Sequence, residues 1–472
     1  MSASVIPSLM VLALFAALLM GFPVAFSIAA VALSFGAFGV VTGAFPAPFL
    51  LAIPMRVLGI LLNDNLLAIP FFVFIGLLLE RSGMAEEMLD AFGRLLASVR
   101  GGLAYAVVIV GAALAATTGI VSASVVAMGL TTLPVMLRYG YSPALASGVI
   151  AASGTLAQMI PPSIVLIVLA EQMDVELPQI YRGALGPSML IVGCYLVFLF
   201  VASRLYPAAL PAAPDSAQAE PLGIRVRRAL VKGAPPVLIV GAILGSIFLG
   251  VATPTESGAV GAVATLLYGL ARGKLRLASL RQAMDSTGVL CSCIIFLLIG
   301  ATCFSLVFRG FDGPLWIEAA FNHLPGGRLG FLVAINALIF LLAFFLDFFE
   351  IAFIVVPLIE PVATKLGINP LWLAVVLAVN MQTSFMYPPF GLALYNLRSV
   401  APARVRTSQI YLGVAPFILI QVIVLGLILA FPQIVTLETA EKQRLDRLML
   451  ERQIESPQRA NGDRDTGGKA GP

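Results

Sequence analysis

The chain is 472 residues long, 60% hydrophobic and only 11% charged, with a formal net charge of +4 at pH 7. That much apolar surface cannot be hidden in a water-soluble core, so a polytopic protein embedded in a lipid bilayer is expected. The basic residues sit in loops beside apolar runs, which speaks for membrane topology and against nucleic-acid binding.

The N-terminus carries no positive charge before its first apolar run, and that run continues past Gly21, so a first span is expected there and no cleaved leader. Uncharged stretches recur at residues 8–41, 103–137, 144–170, 234–252, 329–346 and 409–431. Several exceed the roughly 20 residues that one span needs, which implies tilted, hairpinned or broken helices. Thr117, Thr118, Gly119, Ser122 and Ser124 interrupt the second stretch, as the tip of a re-entrant hairpin would. Pro161-Pro162 breaks the third, with Ser153, Gly154, Thr155, Gln158 and Ser163 around it. Proline has no backbone donor and clashes with the preceding helical turn, so carbonyls freed at that depth need other partners.

Residues 171–182 read as a loop with three acids against one arginine. Residues 203–233 carry Arg204, Arg225, Arg227, Arg228 and Lys232 and read as a cytoplasmic linker between two halves. Pro235-Pro236 then marks a helix start. Thr253 to Glu256 reads as a helix cap, and Arg272, Lys274, Arg276 and Arg281 place the next loop inside. Residues 310–328, with Asp312, Glu318 and the only histidine, His323, fit an outside loop. Asp347 and Glu350 interrupt the next apolar stretch as the tip of a second hairpin. Acids in apolar sequence are costly and are functional candidates, the alternative being a helix end at the interface. Pro388-Pro389 makes a second break, preceded by Asn380, Gln382, Thr383 and Ser384, and the loop after it carries Arg398, Arg404 and Arg406. The tail, 432–472, is charged and balanced, with a short amphipathic helix over 438–454 and disorder beyond it expected.

The two Pro-Pro pairs are 227 residues apart, and the same shift carries Pro134, Gly140 and Pro143 onto Pro361, Gly367 and Pro370. An internal duplication follows. The loops after the two breaks carry opposite charge, so equivalent loops face opposite sides and the repeat is inverted. The expected architecture is an all-α polytopic membrane protein of two inverted-topology repeats with re-entrant hairpins and broken helices. Its parts are a first repeat over 1–202, the linker over 203–233, a second repeat over 234–431 and the tail. Counting crossings from the linker places both termini outside.

Neutral hydroxyl, amide and carbonyl oxygens at a broken helix suit a bare sodium ion, and a half-helix C-terminus attracts it. The alternative is that Ser and Thr hydroxyls only bond back to their own helix. The four cysteines lie in apolar runs and suggest neither a disulfide framework nor a metal site. The stretch from Gly269 to Leu275 has the wrong spacing for a nucleotide loop, and Leu275 stands where a magnesium-binding hydroxyl belongs.

Ala68-Ile-Pro70-Phe-Phe-Val-Phe-Ile-Gly76, Arg81-Ser-Gly83, Arg138-Tyr-Gly-Tyr141 and Ile160-Pro-Pro-Ser163 resemble the first half of the large membrane subunit of tripartite ATP-independent periplasmic (TRAP) transporters. Thr253-Pro-Thr-Glu-Ser-Gly-Ala259, Phe345-Leu-Asp347, Gly367-Ile-Asn-Pro370 and the run from Asn380 to Gly391 resemble its second half, in the family's order. The resemblance runs from about Gly21 to Phe431. It implies an elevator-type transporter in the bacterial inner membrane, working with a small four-helix membrane subunit and a periplasmic substrate-binding protein. A small carboxylate would be the substrate and sodium the coupling ion. The family's ion sites fall near Gly119, Ser122 and Ser124 with Ser153 to Pro161, and near Asp347 with Asn380 to Pro388. At the first tip this chain reads Gly119-Ile-Val-Ser122-Ala-Ser124 in place of the family's usual run of small residues. Rival readings are a stand-alone ion-coupled symporter or antiporter and a polytopic membrane enzyme. The latter would need convergent acids, histidines or metal ligands.

Overall fold

The computed structural model describes residues 5–436, apart from 120, 213–219, 323–324, 345 and 390. Among the described residues all regular secondary structure is helical. Among these residues six helices are long and apolar enough to cross a membrane, and a seventh candidate span is the pair Ala47–Leu61 and Asp64–Arg81, bent by 51°. The bend has a local cause: the Asn63 side chain accepts from the backbone N–H of Asn65 and Leu66, so a new helix is capped where the old one stops. Leu12, Phe26, Val197, Leu238, Val263 and Leu412 are each more than half exposed. Acyl chains would cover that outer surface.

The halves repeat one element order. Val24–Val41 corresponds to Pro254–Ala271, Asp64–Arg81 to the later part of Leu277–Gly310, and Met84–Leu95 to Gly313–Asn322. Each half then runs through a helical hairpin, a broken helix and a last long helix, Leu177–Leu205 or Thr407–Ala430. The halves exchange partners, since Val24–Val41 packs on Leu277–Gly310 and Pro254–Ala271 packs on Asp64–Arg81. The last helix crosses the first broken helix at Gly148 and Gly413. A Cβ on Gly413 would lie 1.8 Å from the Ala144 carbonyl oxygen, so only glycine lets these backbones meet.

The first uncharged stretch is two helices, Val5–Leu19 and Val24–Val41, turning at Gly21 with φ near +80°. Several expected boundaries are displaced. Pro235-Pro236 does not start a helix, because Leu222–Phe248 runs straight through both prolines. Neighbouring helices can satisfy carbonyls that prolines free in a membrane helix, so this pair need not end one. The linker is shorter than its polar composition suggests. Leu177–Leu205 and Leu222–Phe248 extend into it, and its later basic residues ride on helix. Residues 171–182 are mostly helical too, with only Met173 to Glu176 between two helices, and residues 310–328 contain Gly313–Asn322. In each case charge marks a helix end leaving the apolar layer, which sequence cannot distinguish from a loop. His323 and the tail beyond residue 436 lie outside the described residues.

Candidate functional site

Each half brings a hairpin against its own helix break. In the first half the arms are Gly102–Thr118 and Val121–Arg138, with Gly119 turning the chain at φ +57°. A Cβ there would lie 3.4 Å from Ile164, so the tip abuts the restart of the broken helix. That helix runs Pro143–Thr155, tightens over Leu156–Gln158, breaks at a cis Pro161-Pro162 bond and resumes as Ile164–Gln172. A Cβ on Gly111 would meet Ser153 Cβ at 2.7 Å, and one on Gly154 would meet Val125 Cγ2 at 2.3 Å. The end of the broken helix is thus clamped between both hairpin arms. Ser122 is half-buried, and Ser124 and Pro161 are buried.

In the second half the first arm is Gly327–Leu342. The second begins at Phe348, passes through a π-helical turn, Ile351–Val355, and continues as Val356–Lys365. The broken helix runs Pro370–Ser384, breaks at a cis Pro388-Pro389 bond and resumes as Leu392–Val400. Tyr387 wedges the break against the hairpin, its ring 4.3 Å from that of Phe340 and 5.4 Å from that of Phe344. A cavity of about 370 Å³ opens between tip and break, lined by Ala343, Phe344, Asp347, Ser384 and Phe385 among others.

Asp347 and Glu350 form a capping box. The Phe348 N–H donates to Asp347 Oδ1 at 2.6 Å, and the Asp347 N–H donates to Glu350 Oε2 at 2.8 Å. Asp347 keeps a face on the cavity, whereas Glu350 serves as the capping partner and is not among the lining residues. Thr253 and Glu256 cap their helix in the same way.

Much of the polarity freed at the breaks is already matched. Ser163 Oγ donates to the Gln158 carbonyl at 2.6 Å, and Ser188 Oγ shares its proton between the Met159 carbonyl at 2.9 Å and the Ala184 carbonyl of its own helix at 2.6 Å. Beyond the second break the Gly391 N–H donates to the Tyr387 carbonyl at 2.7 Å, and the Ala393 N–H donates to that of Phe385 at 3.0 Å. Thr155, Thr383 and Ser384 donate their hydroxyl protons back to their own helices. That bond consumes the proton and leaves the oxygen's lone pairs, so it does not bar a cation.

Among the described residues seven buried side-chain oxygens have no hydrogen-bond partner, and five of them lie at the breaks: Ser153 Oγ, Gln158 Oε1, Asn380 Oδ1, Gln382 Oε1 and Tyr387 Oη. Ser153 and Asn380 occupy equivalent positions of the two halves. Asn380 Nδ2 donates to the Asn336 carbonyl and to Asn336 Oδ1, each at 2.9 Å, tying the second break to its hairpin's first arm. The halves also meet at their centre. Gln382 Nε2 lies 3.5 Å from Thr155 Oγ1, and these residues are 227 apart, the repeat shift itself. They touch across the pseudo-symmetry axis that relates the repeats. Among the described residues no three His, Cys, Asp or Glu side chains gather. A cation here would rest on neutral oxygens, with Asp347 the acid that lines the cavity beside the second break.

Gly119, Ser153, Gly154, Thr155 and Pro161 thus gather at the first break, with Ser122 and Ser124 at the start of the adjoining arm. Asp347, Asn380, Gln382, Thr383, Ser384 and Pro388 gather at the second. Asn336 was missed. Its signal was a lone amide inside the apolar stretch 329–346.

A family model for the tripartite ATP-independent periplasmic transporter, DctM component, matches residues 11–434. The C4-dicarboxylate TRAP transporter large permease protein DctM of Pseudomonas aeruginosa is 31% identical over 337 residues, covering 71% of this chain and 77% of its own. The ectoine/5-hydroxyectoine TRAP transporter large permease protein UehC of Ruegeria pomeroyi is 27% identical over 372 residues, covering 78% and 85%. The sialic acid TRAP transporter large permease protein SiaM of Vibrio cholerae is 26% identical over 415 residues, covering 88% and 93%. Among solved structures, the YdaH transporter of Alcanivorax borkumensis superposes with a TM-score of 0.56 at 17% identity, over 84% of this chain and 89% of that one. That likeness concerns the fold alone.

Proposed function

Because the chain belongs to the DctM-component family of tripartite ATP-independent periplasmic transporters, as a large permease subunit, we propose that it imports a small carboxylate driven by sodium. The observation that carries this reading is the pairing of two hairpin tips with two broken helices, joined through Thr155 and Gln382. Sodium would bind at the C-terminal ends of the first half-helices, where carbonyl dipoles point and the unpartnered oxygens of Ser153, Gln158, Asn380 and Gln382 lie. The N-terminal ends of Ile164–Gln172 and Leu392–Val400 carry the opposite partial charge and suit a carboxylate. The relatives' own substrates range from C4-dicarboxylates to ectoine and sialic acid, so the scaffold serves several small solutes.

In this reading a periplasmic binding protein delivers the substrate and a small four-helix membrane subunit completes the scaffold. The hairpins and broken helices then move as one body against the scaffold in the bacterial inner membrane. The test is uptake into liposomes holding the chain with its small subunit, the binding protein being added outside. Labelled dicarboxylates, keto acids and sugar acids are screened under an inward sodium gradient, a proton gradient, or internal ATP with neither. Uptake that needs both the binding protein and sodium is expected. Uptake that follows protons or ATP and ignores sodium would overturn the reading.

A further inference from the structure

Glu87, on the amphipathic helix Met84–Leu95, is met by three cations. Lys232 Nζ lies 2.5 Å from its carboxylate, Arg272 Nη2 2.9 Å and Lys274 Nζ 2.8 Å. One carboxylate neutralises one of them and leaves two positive charges over. The neighbouring acids do not make up the difference. Asp90 is held by Arg94 at 3.0 Å, Glu220 by Arg228 at 2.7 Å, and Glu86 faces a separate cavity beside Thr131 and Tyr139. Burial alone would push the Glu87 carboxyl up, but bonds from Lys232 and Lys274 outweigh it and hold it below the usual carboxylate range. Glu87 therefore stays ionised at neutral pH and the tally stands.

The cations are reachable, the side chains of Lys232, Arg272 and Lys274 being 29%, 32% and 47% exposed. Leu230 and Val231 on Leu222–Phe248, Leu267 and Leu270 near the end of Pro254–Ala271, and Leu277 at the start of the next helix are each at least half exposed. An excess of positive charge above an outward apolar flank, where spans leave the bilayer, matches a molecule with an anionic head and acyl tails. We propose that Lys232, Arg272 and Lys274 form a binding site for the phosphate headgroup of an anionic phospholipid, whose tails lie along Leu222–Phe248 and Pro254–Ala271. Met84–Leu95 packs against Leu222–Phe248 and against the first hairpin arm. A bound headgroup would therefore fix the connector that leads into the first hairpin.

The experiment titrates the purified chain, in neutral detergent, with phosphatidylglycerol, phosphatidylcholine or inorganic phosphate, and reads bound lipid by native mass spectrometry. Wild type should prefer phosphatidylglycerol by about tenfold or more. Each cation removed should weaken that binding about fivefold, so Arg272→Gln with Lys274→Gln should abolish the preference. The charge-keeping pair Arg272→Lys with Lys274→Arg should retain it, which separates charge from folding. Glu87→Gln, which adds to the positive excess, should strengthen it. Equal binding of both lipids by wild type, or a preference intact in the double Gln variant, overturns the site. Inorganic phosphate displacing the lipid at micromolar concentration would make it a free-anion site and also overturn it. If the double Gln variant loses the small membrane subunit while keeping its lipid preference, the cluster is a protein contact and the proposal fails.

Discussion

Replacing Gln382 with Met distinguishes an ion ligand from a packing residue by sign as well as size. Gln382 is fully buried, its Nε2 lies 3.5 Å from Thr155 Oγ1, and its Oε1 has no partner. A buried oxygen left without a bond costs about 1–3 kcal/mol, and a contact at that distance returns little of it. Met has similar volume and flexibility, so the change removes the polar group without opening a cavity. Stability without sodium should therefore hold or rise by about 1 kcal/mol. Sodium at a hundred times its Kd would stabilise wild type by about 2.7 kcal/mol. Losing a ligand worth about 1.4 kcal/mol raises Kd tenfold, and the same sodium then stabilises the variant by only about 1.4 kcal/mol. Thermal unfolding of both proteins in detergent, in sodium chloride and in choline chloride, gives both numbers. A variant destabilised by about 2 kcal/mol without sodium, yet showing the full sodium increment, would refute the reasoning and make Gln382 a packing group.

Asp347→Asn keeps the helix cap, since Asn serves as well as Asp there, so melting should shift by less than about 0.5 kcal/mol while sodium-driven uptake falls at least about tenfold. Asp347→Ala should lose about 1 kcal/mol of stability besides, as a melting series would show. Gly413→Ala must push its helix away from the Ala144 carbonyl, and a loss of about 1–3 kcal/mol is expected. Gly426→Ala, on the same helix with open space around it, should be neutral or slightly stabilising in the same assay. Single cysteines at Asp174 and Arg404, probed with an impermeant reagent, should label from opposite sides of the membrane; labelling from one side would mean a tandem repeat. The folded pKa of Glu87 is depressed, so its stabilising contribution is complete at neutral pH and is lost as pH falls through that depressed value. Glu87→Gln should flatten that acid limb of the melting profile.

The two breaks were legible because a Pro-Pro pair is a local signal, and the 227-residue shift made their pairing legible as well. The same signal misled at Pro235-Pro236, where local chemistry is alike but neighbouring helices carry Leu222–Phe248 through. Charge at helix ends reads as loop around residues 171–182 and 203–233, because a charged helix turn outside the bilayer looks like a linker in sequence. The partners of the breaks were not legible. That Asn336 holds Asn380, that Tyr387 wedges between Phe340 and Phe344, and that serines take the Gln158 and Met159 carbonyls are facts of packing between distant segments. The Thr155–Gln382 contact lies between, since residues separated by the repeat shift meet wherever a pseudo-symmetry axis passes through them.

Equilibrium binding of radioactive sodium to the purified chain with its small subunit tests most directly whether each break is an ion site in its own right. Wild type should show at least two sites. Ser153→Ala should weaken binding at the first break and leave the second, and Asn380→Ala should do the reverse, because their unpartnered oxygens belong to different half-helices. Sodium binding untouched by both changes, or abolished entirely by either one alone, would contradict the account.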